Sequence, residues 1–239
     1  MPTTLADLPP GPKVQAPQVR NAARYLRGAH SSVSGLLRSV DPVAAERRKS
    51  NGSTVGRLAQ QEVDLLRAAI VFTSSGLDAA MSRLVNDAGR HLIRCEKPTG
   101  AKAQFEEYLK NQMKASAPVP QGLRDAVIHP EAAGKVLDHY LGERTRASFQ
   151  GSGDLDARVR NVLGISGSVI PIASLKALDP FFIARNRIAH DLDYEDTKNP
   201  KASKRTDRKT DDVVALCDGV FAVCSDLIHA TADVIVAAR

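Results

Sequence analysis

The chain has 239 residues, 43% hydrophobic, 25% charged and only 4% aromatic, with no tryptophan and three cysteines. Those figures exclude a collagen-like, disulfide-scaffold or wholly disordered chain and leave room for one large domain with a continuous core. Basic residues exceed acidic ones by 33 to 27, a net charge of +6 that points to an anionic partner without saying where it binds.

The first 18 residues carry five of the thirteen prolines, Pro2, Pro9, Pro10, Pro12 and Pro17, and neither a basic leader nor a long apolar run. Proline removes backbone donors and keeps the chain extended, so residues 1–18 read as a tail or a strap over the surface, not as a targeting segment. No stretch reaches the roughly 18 uninterrupted apolar residues of a membrane span. With Cys95, Cys217 and Cys224 as the complete cysteine set and no export signal, a reducing cytoplasm is the expected compartment.

Residues 19–40 carry a weak helical pattern closed by Asp41-Pro42, and residues 46–53 (ERRKSNGS) read as a loop. From about Val55 to Ile93, apolar residues recur at steps of three and four, including Leu66, Ile70, Leu77, Met81, Leu84 and Leu92, the stripe of a long helix. Gly76 lies inside it and could mark a kink or a split. Short helices are expected over residues 101–115 and on either side of Ile128-His129-Pro130, with irregular chain at 151–154 and 165–171. Thr210, followed by Asp211 and Asp212, starts a last amphipathic helix whose stripe includes Cys217 and Cys224 as core packing. Strand alternation is nowhere sustained. The expected fold is all-α: an antiparallel helical bundle of five to seven helices, with a long central helix and a C-terminal amphipathic helix. Residues 19–239 make a single domain, in which residues 98–170 form a helical insert.

The segment that carries chemistry is DPFFIARNRIAHDLDY, residues 179–194. Asp179 is a suitable N-cap and Pro180 a first-turn proline, so a helix should start here. At about 100° per residue, Phe181, Ala184, Ile188 and Leu192 share one buried side, while Asn186, His190 and Asp193 fall opposite. Arg185 lands inside the apolar arc. An arginine there is costly unless it is paired or led to an interface or an anion.

Arg185-Asn186-Arg187-Ile188-Ala189-His190 resembles the R-N-x-x-x-H signature of HEPN domains, all-α proteins many of which are ribonucleases, including toxins and anti-phage effectors. Residues 64–85 also resemble the first core helices of the RiboL-PSP group of that family. The resemblance implies metal-independent endoribonuclease chemistry, in which a 2′-hydroxyl attacks the adjacent phosphorus and leaves a cyclic phosphate and a 5′-hydroxyl. Such a reaction needs proton transfer and positive charge at the developing phosphorane. His190 is therefore assigned to proton transfer, Arg185 to the transition-state charge and Asn186 to orientation. Asp78 and Asp193 are supporting candidates. One chain supplies one such histidine, so a homodimer with a composite site is expected, and an antitoxin or regulatory protein is a further partner the resemblance suggests. No cofactor and no metal are expected.

Downstream, residues 198–209 hold Lys198, Lys201, Lys204, Arg205, Arg208 and Lys209 against one acid, Asp207, a net +5 of the chain's +6. Beside the motif this loop would concentrate phosphate, making RNA the expected partner. It has no interleaved aromatics for base stacking. Two alternatives stand: a non-catalytic protein of the same fold that binds RNA, a nucleotide or another protein, and a metal-dependent phosphohydrolase built on His190-Asp191 with His91, His129 or His139.

Overall fold

The computed structural model describes residues 4–12, 15–52, 56–114, 118–196, 198–199 and 204–239. Ten α-helical segments follow in order: α1 Arg20–Ser50, α2 Gln60–Leu84, α3 Arg90–Arg94, α4 Gly100–Lys114, α5 Gln121–Ile128, α6 Ala132–Thr145, α7 Ser152–Leu155, α8 Ile172–Lys176, α9 Asp179–Asp191 and α10 Thr210–Ala237. Among the described residues there is no strand, only an isolated antiparallel bridge between Tyr194 and Arg205. The fold is the expected all-α bundle, though the described residues hold more helical segments than the five to seven expected, one of them, α7, where irregular chain is expected at 151–154.

The core is built on α1, α2 and α10. Contacts between Asn21 and Asp87, Ala29 and Gly76, and Arg47 and Glu62 run in opposite senses along the two chains, so α1 and α2 pack antiparallel over their whole length. Gly76 does not split the helix; it is where α2 lies close against Ala29 of α1. A Cβ there would sit 2.2 Å from the Ala29 Cβ, so only glycine lets the two helices meet at this height. The stripe of α2 continues through a π-helical turn at Val85–Gly89 into α3, which makes residues 60–94 one unbroken rod.

Two sequence expectations fail at the end of α1. The helix passes through Pro42 and runs on to Ser50, so most of the expected loop is helical. Pro42 is exposed, where the carbonyl it deprives of a donor can meet water, while Val40 and Ala44 on either side are buried and hold the helix to the core. Arg47 then fastens the end: its Nε donates to Glu62 Oε1 at 2.6 Å and its NH2 to the Arg57 carbonyl at 3.0 Å. Glu62 also accepts the Ala59 N–H, closing the start of α2.

Helix α10 begins at Thr210 and is long and apolar enough to cross a membrane by length and composition, but 56% of its apolar window is buried inside the fold, packed on α1, α2 and α9. Its apolarity on several sides is that of a core helix. Cys217 and Cys224 are buried and unpaired within it, and burial pushes the Cys217 thiol up to about 11. Residues 4–12 lie across α1 and α10: His30 Nε2 contacts the Ala6 carbonyl at 2.9 Å, His229 Nε2 the Pro10 carbonyl at 3.0 Å, and Asp218 accepts the Ala6 N–H at 3.0 Å. Helices α5 and α6 form a pair that joins the rod at its π-helical turn.

Candidate functional site

Helix α9 lies on α2 and α10 with Phe181, Phe182, Ala184 and Ile188 buried. Asp179 is its first helical residue and the cap position falls on Leu178, one residue before the expected start. The Asp179 carboxylate reaches back to the Ser152 N–H at 3.4 Å. Arg185 is on the core side, as its place in the apolar arc requires, and only 6% exposed.

What surrounds that guanidinium sets the chemistry. NH1 donates to Gln150 Oε1 at 3.0 Å and to Asn186 Oδ1 at 2.8 Å, and NH2 donates to the Phe149 carbonyl. All three acceptors are neutral, and Nε is buried with no partner among the described residues. Asp78 joins the cluster from the other side, accepting the Phe149 N–H at 2.8 Å, so the backbone of Phe149 meets the carboxylate of α2 through its N–H and the guanidinium of α9 through its carbonyl. Burial pushes Asp78 above the ordinary carboxylate range, against the pull of the Phe149 N–H, Arg185 and Arg158. Arg158 completes the wall, donating to the carbonyls of Arg144 and Ser148 at 2.8 and 3.1 Å and stacking 4.4 Å from the centre of the Phe149 ring.

Asn186 is half-buried and His190 exposed, one turn apart on the outward side of α9. With Oδ1 held by Arg185, the amide N–H groups of Asn186 remain as donors. Ile183, 63% exposed, precedes them on the same stripe at steps of three and seven.

Asp193 departs from expectation. The helical periodicity that placed it opposite the core stops at Asp191, because Leu192 and Asp193 adopt left-handed conformations, φ 50° and 66°. Leu192 is turned out to 63% exposure and Asp193 is turned in, fully buried. Two successive non-glycine residues in that region cost about 1–2 kcal/mol each, and ion pairs offset the cost. Asp193 accepts from Arg67 Nε at 2.9 Å and from Arg208 Nε and NH2 at 2.7 Å each. Burial alone would raise its pKa; the Arg208 and Arg67 hydrogen bonds outweigh that and hold the carboxyl below the ordinary range.

The basic loop is bound into the same latch. Arg67 also donates to Asp64 Oδ1 at 2.8 Å and to the Thr206 carbonyl at 2.6 Å. Arg205 contacts the same Asp64 oxygen at 2.9 Å and donates to the Leu192 carbonyl at 2.8 Å. Arg205 and Arg208 therefore spend their charge on folding the loop, a structural duty the sequence reading did not give them. Lys198, Lys204 and Lys209 are exposed, and Lys201 lies outside the described residues. A polar cavity of about 270 Å³ opens beside the latch, lined by Arg57, Arg67, Lys204 and Arg205 together with Glu195 and Asp207. Among the described residues, no three of the histidines, cysteines and carboxylates gather as metal ligands.

Sequence reasoning missed Arg67, Phe149 and Gln150. Arg67 was within reach, since Val63 and Ile70 bracket it at helical spacing, the same pattern that singles out Arg185. A scan against protein-family models and searches of curated proteins and solved structures find no match to this chain.

Proposed function

We propose that the chain is a metal-independent endoribonuclease whose working surface is the outward side of α9. The observation that carries this reading is the state of Arg185: a buried guanidinium bonded, among the described residues, to neutral oxygens alone, one of them the side chain of Asn186, with the exposed His190 one turn beyond. A positive charge that no directly bonded carboxylate cancels raises the potential at the surface just outside it. The R-N-x-x-x-H resemblance supports the same assignment.

His190 removes the proton from the 2′-hydroxyl of the RNA; the resulting alkoxide attacks the adjacent phosphorus. The 5′-oxygen leaves with a proton from the same histidine of a second copy, giving a cyclic phosphate and a 5′-hydroxyl. Ile183 beside His190 and Asn186 provides an apolar contact for such a pairing of two α9 helices. Arg185 is buried, with NH1 and NH2 both bonded to neighbouring groups, so it meets the transition-state charge indirectly. It acts as a positioning residue, fixing Asn186 so that its N–H groups face the developing phosphorane and lending them its field. Lys198, Lys204 and Lys209 supply salt-dependent attraction. As a toxin or defence effector the protein would act on cellular or phage RNA.

The test is labelled RNA incubated with the full chain in chelator. Cleavage to cyclic phosphate ends is expected, falling on the order of 10²–10⁴-fold in His190→Ala, a substitution at an exposed site that leaves the fold intact. Cleavage that the variant leaves unchanged, or that chelator abolishes, overturns the proposal. Binding without cleavage would favour a non-catalytic RNA-binding module.

A further inference from the structure

Most aromatic residues of this chain are buried or half-buried. Of its ten, only Tyr25 on α1 and Phe72 on α2 stand exposed, 52% and 51% respectively, and both line one groove of about 630 Å³ where the two helices meet. The floor is made of small residues. Gly76 touches Ala29, Ala79 follows one turn on, and at Gly28 an added Cβ would meet nothing within 4 Å. Arg24 and Arg83 stand at the same groove, both exposed. Arg83 has an i,i+4 contact with the half-buried Asp87 at 3.3 Å, and its own side chain is exposed, so this long contact leaves the guanidinium able to meet another anion.

Two exposed rings over an open floor, flanked by two guanidinium groups, are the parts of a single-strand site: rings stack on bases, and cations meet the phosphates between them. Both charged side chains that line the groove are arginines, so a second copy of the same face would set arginine against arginine. The position also suits a strand that reaches α9. On α2 the groove residues lie roughly 130° round the helix from Asp78 and Arg67, and exposed Val71 and Ser75 fill the interval.

We propose that the α1/α2 groove is a stacking subsite for unpaired bases of single-stranded RNA, with Tyr25 and Phe72 as the platforms and Arg24 and Arg83 on the neighbouring phosphates. This rests on RNA being the partner proposed above, not on cleavage. It supplies the stacking that the basic loop lacks.

The test is fluorescence anisotropy of the full chain with a labelled 2′-O-methyl oligouridine, whose blocked 2′-oxygen prevents cleavage. The parent should bind, and the double variant Tyr25→Ser/Phe72→Ser should bind at least about tenfold more weakly, with its thermal unfolding unchanged because both rings are surface residues. Gly28→Gln, which fills the floor and spares both rings, should weaken binding as well. Arg24→Ala/Arg83→Ala should flatten the dependence on salt. With no tryptophan present, emission comes from tyrosine, and quenching on binding should be smaller in Tyr25→Ser. No binding by the parent at micromolar concentration overturns the proposal. So does equal binding by parent and double variant, and so does a double variant that binds normally but loses a dimeric mass in light scattering, which would make the groove a contact between copies. A parent that binds this strand but leaves ordinary RNA intact retires the nuclease and keeps the groove; cleavage of ordinary RNA with unaltered binding by the variants does the reverse.

Discussion

Arg67 and Arg185 are both arginines buried in helices of the core, 3% and 6% exposed, and they are handled in opposite ways. Arg67 is met by two carboxylates, Asp193 and Asp64, and a carbonyl, so its charge is cancelled on the spot and the assembly works as a latch that closes the end of α9 and the base of the following loop. Arg185 is met by an amide oxygen, a second amide oxygen and a carbonyl, while the Asp78 carboxylate bonds the backbone N–H of the same Phe149. The first arrangement is what stability alone would select. The second leaves charge unspent beneath a surface that carries Asn186 and His190, and it is the reason the proposed site lies there.

If that contrast is right, removing the two guanidinium groups should have opposite emphasis. Arg67→Met leaves the buried Asp193 with Arg208 alone and Asp64 with Arg205 alone; removing one cation from this buried network should cost about 3 kcal/mol in urea unfolding, with the loop loosened at its base. Acid should act like the mutation at the latch, and also on the Arg47–Glu62 pair that fastens α1. Asp193 and Glu62 both have folded pKa values below the unfolded ones, so their stabilisation is present above about pH 4 and is lost as pH falls through the folded values. The melting temperature of the parent should fall steeply below pH 4, while Asp193→Asn, less stable at neutral pH, should show a shallower acid slope. Equal slopes would mean that the latch does not govern acid stability.

Arg185→Met should cost less, about 1–3 kcal/mol by the same urea measurement, because it strands neutral acceptors and no directly bonded anion. A loss larger than that of Arg67→Met would reverse the comparison. Smallest of all is Arg57→Ala: its pair with Asp207 is exposed on both sides, 75% and 44%, and its removal should change stability by no more than about 1 kcal/mol.

The periodic elements were legible in the sequence because burial on one face writes itself into residue spacing. That holds for residues 60–94, for α10 and for the core-side position of Arg185. Elsewhere the spacing had competitors. Pro42 is a breaker by local preference, and Val40 and Ala44 overrode it by packing. Leu192 and Asp193 were assigned to faces by extending a helix that had ended, since a left-handed terminus without glycine is held by ion pairs distant in sequence. The acceptors of Arg185 come from Phe149 and Gln150, in an irregular segment some 35 residues upstream, where no period announces a contact. The basic loop taught the same lesson in charge. Its composition showed how many cations it holds, and only the fold shows that Arg205 and Arg208 are already spent.

The central claim is that Arg185 works through Asn186, and a double-mutant cycle on single-turnover RNA cleavage tests it most directly, with folding of each variant confirmed by circular dichroism. Arg185→Met and Asn186→Ala should each slow cleavage, and the double variant should be no slower than the more damaged single one, because both remove the same interaction. Losses that multiply, or an Arg185→Met variant as fast as the parent, would contradict the account.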